Sequence, residues 1–348
     1  MFFAIVGPIA SGKRTIANYL VKNLKFEEIY LQHENNDNEI INLTSKNLID
    51  CNNQRTTIGK EIIDNKDALI FKDTQKFLDY VTINWTDNYV LCSECFSSDL
   101  LLFKKRPTFL LVSVNAPVIK RYKRYQNEFK SQNNDSKQLL SLEEFCKLDD
   151  TQMFDKGLIN IMNKSDLKID NSSDSIEEFY EVLKEKKLND YERLRPSWDT
   201  YFMTLSFLTA RRSNCMKRKV GCILTKNNYI LSTGYNGTPR HIKNCYEHGC
   251  RRCNSGASMG THLDMCLCLH AEENALLEVG REKSKGATLY CNTCPCVGCT
   301  IKIIQCGIKE VIYALEYRHD EMIKGLFEEA GVSIRQYNKK KNFNIEKS

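Results

Sequence analysis

"HAEENALLEVGREKSKGATLYCNTCPCVGC", residues 270–299, holds a metal-ligand set together with the elements that would carry it. The run from His270 has helical periodicity, "ATLYCN" (287–292) reads as a strand, and a second helix starts at Pro295. The stretch therefore reads helix–strand–helix. His270 stands at the head of one helix, and Cys296-Val297-Gly298-Cys299 at the head of the other.

One His and a C-x-x-C pair supply three protein ligands, which leaves one tetrahedral position of zinc open for water, as in a catalytic site. Zinc lowers the pKa of such a water from about 15.7 to about 7. Glu272, two residues beyond the histidine, is not needed as a ligand and is placed on the first helical turn to carry protons. Hydrolytic deamination requires that service: water loses a proton, the ring nitrogen gains one, and ammonia leaves protonated. H-x-E…P-C-x-x-C is the recognised signature of zinc deaminases. The competing reading is a structural zinc closed by Cys291 or Cys294, with Glu272 on a solvated face. The complete His-Ala-Glu and the Pro295 before the first cysteine favour the deaminase.

Outward from this stretch, "WDTYFMTLSFLTARRS" reads as a helix entered through Asp199, and "VGCILT" and "YILSTGY" flank a turn as a β-hairpin. A loop rich in Cys and Gly follows, from Pro239 to Leu269. After the quoted stretch come a strand "EVIYALEY", a helix "DEMIKGLFEEAG" and a strand "VSIRQY". The order is α-β-β-α-β-α-β-α-β. The first half differs: apolar runs "FFAIV", "DALIF", "NYVLC" and "FLLVSV" resemble buried parallel strands separated by helical patterns, an α/β layered domain. The expected division is 1–190 for a first domain, 191–338 for the deaminase domain and 339–348 for a disordered tail.

The chain has 348 residues, 42% hydrophobic and 27% charged, with a net charge of +6. That size suggests two domains, and the modest charge admits anionic small ligands but not a nucleic-acid clamp. No run is long and apolar enough to span a membrane, and no signal peptide is read at Met1, so a cytoplasmic location is expected, with the nucleus left open. Twelve of the sixteen cysteines fall between Cys215 and Cys306. In a reducing compartment they read as metal ligands and small core residues rather than a disulfide framework.

Three segments, "SWDTYFMTLSFLTARRSNCMKRKVGCILTKNNYILSTGYNGTPR", "HAEENALLEVGR" and "LYCNTCPCVGC", together resemble the deoxycytidylate (dCMP) deaminase family in its fungal form. The resemblance covers about Pro196 to Tyr337 and implies a cytidine deaminase-like α/β/α sandwich. It implies that His270, Cys296 and Cys299 hold the catalytic zinc and that Glu272 shuttles protons. The implied reaction attacks C4 of the cytosine ring and converts dCMP to dUMP and ammonia, supplying dUMP for thymidylate synthesis. It places Asn236 against the substrate's sugar, although Asn-Gly is also a common turn dipeptide. Arg212, Asn214, Lys219 and Arg240 lie near enough in sequence to serve the phosphate.

Family members are commonly homo-oligomers, often hexamers, activated by dCTP with magnesium and inhibited by dTTP. Gly234, Tyr235 and Gly237 of the "GYNG" loop and Arg281 match positions tied to effectors; for Arg281 the alternative is a helix-end cation. Some members hold a second, structural zinc. Cys215, Cys245 and Cys268 occupy matching places, with His262, Cys250, Cys253 and Cys266 competing for the fourth position. Cys222 and Cys306 read as core residues.

The first half offers a rival chemistry. In "GPIASGKRT" (7–15), Gly7, Gly12 and Lys13 fit a phosphate-binding P-loop between strand and helix. Arg14 stands where a magnesium-binding Ser or Thr belongs, with Thr15 one place late, and Asp73 is the nearest candidate for the metal-binding carboxylate after a strand. The segment from Phe109 resembles the late strand and basic helix of P-loop nucleotide kinases. The expectation is an accessory P-loop-like fold, with nucleotide kinase as the alternative activity. Nucleic-acid editing is a second alternative, disfavoured by the absence of a basic groove interleaved with aromatics; a zinc scaffold would not need Glu272.

Overall fold

The computed structural model describes residues 1–31, 69–91, 97–131, 139–258, 261–316 and 320–337. The tail 339–348 expected to be disordered lies outside the described residues. Cα packing divides the chain into two compact units, Met1–Asp190 and Tyr191–Ser348. No described helix is long and apolar enough to cross a membrane.

The first unit is built on six parallel strands: β1 Phe2–Val6, β2 Glu27–Leu31, β3 Leu69–Phe71, β4 Tyr89–Leu91, β5 Phe109–Asn115 and β6 Leu167–Asp170. Their order is β3-β2-β4-β1-β5-β6. Three of the apolar runs are the interior strands β1, β4 and β5, whereas "DALIF" becomes β3 at the sheet edge with Ile70 exposed. Every residue of β1 is buried because helices cover both faces of such a sheet. Phe2 packs against Phe77, Phe103 and Phe109 on one side, while Phe3 stacks on Phe26 on the other. Residues 7–12 leave the end of β1 and enter helix α1, Lys13–Leu24.

The second unit contains helix α2, Trp198–Ala210, and a five-stranded sheet of β7 Gly221–Lys226, β8 Tyr229–Tyr235, β9 Thr288–Thr293, β10 Glu310–Leu315 and β11 Ser333–Gln336. The order is β11-β10-β9-β7-β8. β9, β10 and β11 run parallel, and β7 is antiparallel to both β8 and β9. The hairpin turns on Asn227 and Asn228, with φ of 51° and 64°, the left-handed pair a two-residue loop needs. Asparagine tolerates that region better than most residues.

Period-two alternation splits the strand side chains between two cores. Ile223, Tyr290 and Ile312 face Phe202 and Met203 of α2. Cys222, Leu224, Leu289, Cys291, Val311 and Tyr313 face the opposite layer. That layer holds helices α3 Ala271–Val279, α4 Val297–Gln305 and α5 Asp320–Glu329. The result is an α/β/α sandwich, and each large side chain buried in it contributes roughly 1.5–3 kcal/mol. One detail departs from expectation: Ser197, not Asp199, caps α2 by accepting from the Thr200 amide. Asp199 instead accepts from Tyr290 Oη at 2.9 Å and pairs with Arg335.

Candidate active site

α3 and α4 begin side by side. His270 is the N-cap residue of α3, and Cys296 that of α4, one turn before Cys299. His270 Nδ1 stands 3.3 Å from Cys296 Sγ and 3.3 Å from Cys299 Sγ. Zinc bonds of ~2.0–2.1 Å to nitrogen and ~2.3 Å to sulfur at a tetrahedral angle put the two donors ~3.5 Å apart, so these residues fit the ion. The hydrogen bond from Cys299 holds the Cys296 thiol down to about 4, against its burial and with help from His270. Its hydrogen bond to Cys296 pushes His270 up to about 9. Among the described residues no fourth His, Cys, Asp or Glu joins this group. Cys291 opposes Cys222 across the β7–β9 pair, and the buried Cys294 donates its amide to the Leu315 carbonyl. The donor set is that of an open site.

Glu272 and Glu273 take different directions. Glu273 Oε2 accepts from the His270 amide at 2.7 Å and its other oxygen pairs with Lys302, which pins the start of α3. Glu272 turns inward and is 4% exposed. Burial pushes its carboxyl upward. It lines a cavity of about 180 Å³ together with His270, Cys296, Asn236, Lys217 and Arg218.

Asn236 is buried and held from three sides. Its Oδ1 accepts from the Val220 amide at 2.8 Å and from Ser213 Oγ at 2.7 Å, and its Nδ2 donates to the Arg218 carbonyl at 2.9 Å. A primary amide nitrogen has a second hydrogen. Of the phosphate candidates chosen by proximity in sequence, Arg212, Asn214, Lys219 and Arg240 do not line the cavity. The Arg212 guanidinium lies 5.8 Å over the Tyr235 ring, and Arg240 is exposed beside Glu278. Asn214 donates to Asn244 Oδ1 and accepts from the Cys245 amide. Lys217 and Arg218 line it instead. The signal was the basic run 217–219, of which only Lys219 was singled out.

Gly234 faces α3, Gly237 exchanges two backbone hydrogen bonds with Leu269, and the Tyr235 carbonyl accepts from Asn274. Arg281 is exposed at the start of a one-turn helix, Arg281–Ser284, whose last residue is buried. The sulfurs of Cys215, Cys245 and Cys268 lie within 4.8 Å of one another and of Cys253. Among the described residues His262 belongs to no such group; it is exposed, with a left-handed φ of 50°.

In the first unit, Lys13 Nζ donates to the carbonyls of Gly7 at 2.6 Å and Pro8 at 2.9 Å. The carbonyls of Ile9, Ala10 and Ser11 accept from Arg121, Arg124 and Asn171 respectively. A Cβ on Gly12, whose φ is +107°, would collide with Asn171 Nδ2 at 2.5 Å. Arg14 is exposed and Thr15 half-buried. Asp73 caps the helix Thr74–Ile83 through the Lys76 amide.

Residues 196–315 match the family model described as cytidine and deoxycytidylate deaminase zinc-binding region. Fold and donor set thus define a zinc-binding deaminase of the cytidine and deoxycytidylate class. The chain is 41% identical over 337 residues to a deoxycytidylate deaminase of Schizosaccharomyces pombe, covering 96% of each. It is 43% identical over 275 residues to one of Saccharomyces cerevisiae, covering 76% of this chain and 85% of that protein. The chain belongs to the deoxycytidylate deaminase family. A dCMP deaminase from cyanophage S-TIM5, crystallised with dCMP and dUMP, is 33% identical, covers 39% of this chain and 94% of its own, and superposes with a TM-score of 0.34.

Proposed function

We propose that this chain hydrolyses dCMP to dUMP and ammonia at the site formed by His270, Cys296, Cys299 and Glu272. One observation carries the reading: the inward, buried carboxyl of Glu272 beside a three-donor zinc set with no fourth protein ligand among the described residues. Zinc held there supplies Lewis acidity that draws the pKa of a water toward about 7.

Every proton movement then falls to Glu272. Its carboxylate takes a proton from the attacking water and passes it to the ring nitrogen. It next takes the hydroxyl proton of the adduct and delivers it to the amino group, which leaves as ammonia. Burial raises the proton affinity of this carboxyl, the direction that suits a group that both takes and gives protons. Asn236, fixed by Ser213 and Val220, offers its remaining N–H to a sugar hydroxyl. Lys217 and Arg218 supply the charge for the monophosphate.

Regulation by dCTP with magnesium and by dTTP, and assembly into a homo-oligomer, belong to the same proposal. The bridge from Gly237 to Leu269, next to His270, gives an effector at the "GYNG" loop a short route to the zinc ligand. The N-terminal loop fits an accessory P-loop-like fold rather than a kinase, since Arg14 occupies the magnesium position and Asp73 is engaged as a helix cap.

The test is an assay of the purified chain with dCMP, CMP, deoxycytidine and an oligonucleotide. dUMP from dCMP is expected; activity confined to the nucleoside or the oligonucleotide would overturn the reading. Velocity curves indifferent to dCTP and dTTP would remove the regulatory part.

A further inference from the structure

Six cysteines meet beside the active-site cavity: Cys215, Cys245, Cys250, Cys253, Cys266 and Cys268. They form two overlapping groups of four. In each group, Cys215/Cys245/Cys253/Cys268 and Cys250/Cys253/Cys266/Cys268, all the sulfurs lie within 4.8 Å of one another. Cys253 and Cys268 belong to both.

Four sulfurs held ~2.3 Å from a tetrahedral zinc stand ~3.8 Å apart. The Sγ–Sγ separations are 3.9 Å for Cys215–Cys253, 3.9 Å for Cys250–Cys266, 3.8 Å for Cys253–Cys266 and 4.0 Å for Cys253–Cys268. A disulfide needs ~2.05 Å. The spacing is therefore that of ligands around a cation, and it recurs on both sides of the shared pair. One zinc would use four of the thiolates and leave the other two at the same ligand-like spacing from the shared pair.

We infer that these residues form a binuclear zinc–thiolate cluster in which the thiolates of Cys253 and Cys268 bridge two ions. Cys215 and Cys245 complete one tetrahedron, and Cys250 and Cys266 the other. Two dications against six thiolates leave a formal dianion, and Lys217 and Arg252 line the same cavity as four of the cysteines. Lys217 Nζ donates to the Ala257 carbonyl at 2.8 Å, and the buried Arg252 donates to the Thr261 carbonyl at 3.0 Å and to Ser258. Among the described residues of the loop from Pro239 to Leu269 the only buried apolar cluster is these sulfurs, so the metal cluster takes the place of a core. Cys215, Cys253, Cys266 and Cys268 also wall the cavity, and Cys268 lies two residues before His270.

The test uses the full-length chain. Metal analysis is expected to return about three zinc ions per chain, counting the catalytic one. After cadmium-113 exchange, NMR should give two all-sulfur signals split by each other through the shared thiolates, apart from the signal of the His270 site. About two metals per chain with a single unsplit all-sulfur signal would overturn the inference, and so would one metal. Cys266→Ser should collapse the splitting and lose about one zinc; unchanged splitting would contradict the arrangement. The catalytic reading fails separately, because a chain inactive on dCMP that still shows the split pair would leave the cluster standing.

Discussion

A Cβ on Gly234 would lie 2.1 Å from the Ala271 carbonyl oxygen and 2.7 Å from the Ala275 amide nitrogen. The absent side chain lets α3 rest directly on β8, and α3 carries His270 and Glu272 into the cavity. Gly234, which the family resemblance ties to effectors, is in close backbone contact with α3. Backbone atoms on the facing helix cannot rotate away as a side chain would. Gly234→Ala should cost about 1–3 kcal/mol by overpacking, lower the melting temperature and reduce zinc content and dUMP formation together. A variant with wild-type melting and zinc content would disprove this seating role.

The phosphate assignment separates Lys217 from Arg240. Losing a charged hydrogen bond costs about 1.5–3 kcal/mol, so Lys217→Ala should raise KM for dCMP roughly 10- to 100-fold and leave any activity on deoxycytidine untouched. Arg240→Ala, at an exposed position outside the cavity, should change neither. Equal effects on nucleotide and nucleoside would show that Lys217 acts on the fold instead.

Arg121 and Asp149 form two hydrogen bonds of 2.6 Å in the first unit, with side chains only 5% and 11% exposed. Asp149→Ala leaves the guanidinium buried without its counter-charge, which costs about 3–5 kcal/mol. Hydrogen exchange should report the loss in the helices Val118–Ser131 and Leu142–Asp150. Unchanged protection there would mean that water replaces the carboxylate.

Asp199 gives a pH dependence with a defined sign. Burial pushes its carboxyl up, but the hydrogen bonds from Arg335 and Tyr290 outweigh that and hold it below the ordinary range. A depressed carboxyl contributes stability above its unfolded pKa and loses it as pH falls through the folded one. The pair is partly exposed, so Asp199→Asn should cost only about 1 kcal/mol at neutral pH. The gap to wild type should close below the ordinary carboxylate range; denaturant melts at several pH values would test this, and a constant gap would contradict it.

The catalytic donors were legible because zinc chemistry demands particular atoms at helix starts, and His270, Glu272, Cys296 and Cys299 carry that demand in local sequence. The buried strands β1, β4 and β5 were legible from their apolar runs. β2 and β6 were not, because Glu27, Glu28, Lys168 and Asp170 interrupt the pattern. Cys253 could not be chosen over His262, since the loop around them has no periodicity and the path of the chain alone brings one inward. Asn214 illustrates the same limit: closeness in sequence to the site said nothing of its engagement with Asn244 and Cys245.

The central claim is that Glu272 carries the protons of dCMP hydrolysis at the His270–Cys296–Cys299 site. Its most direct test is dUMP formation by Glu272→Gln alongside wild type, at matched zinc content and melting temperature. A rate loss of about 10²–10⁴-fold is predicted; a variant that retains its zinc and turns dCMP over at the wild-type rate would contradict it.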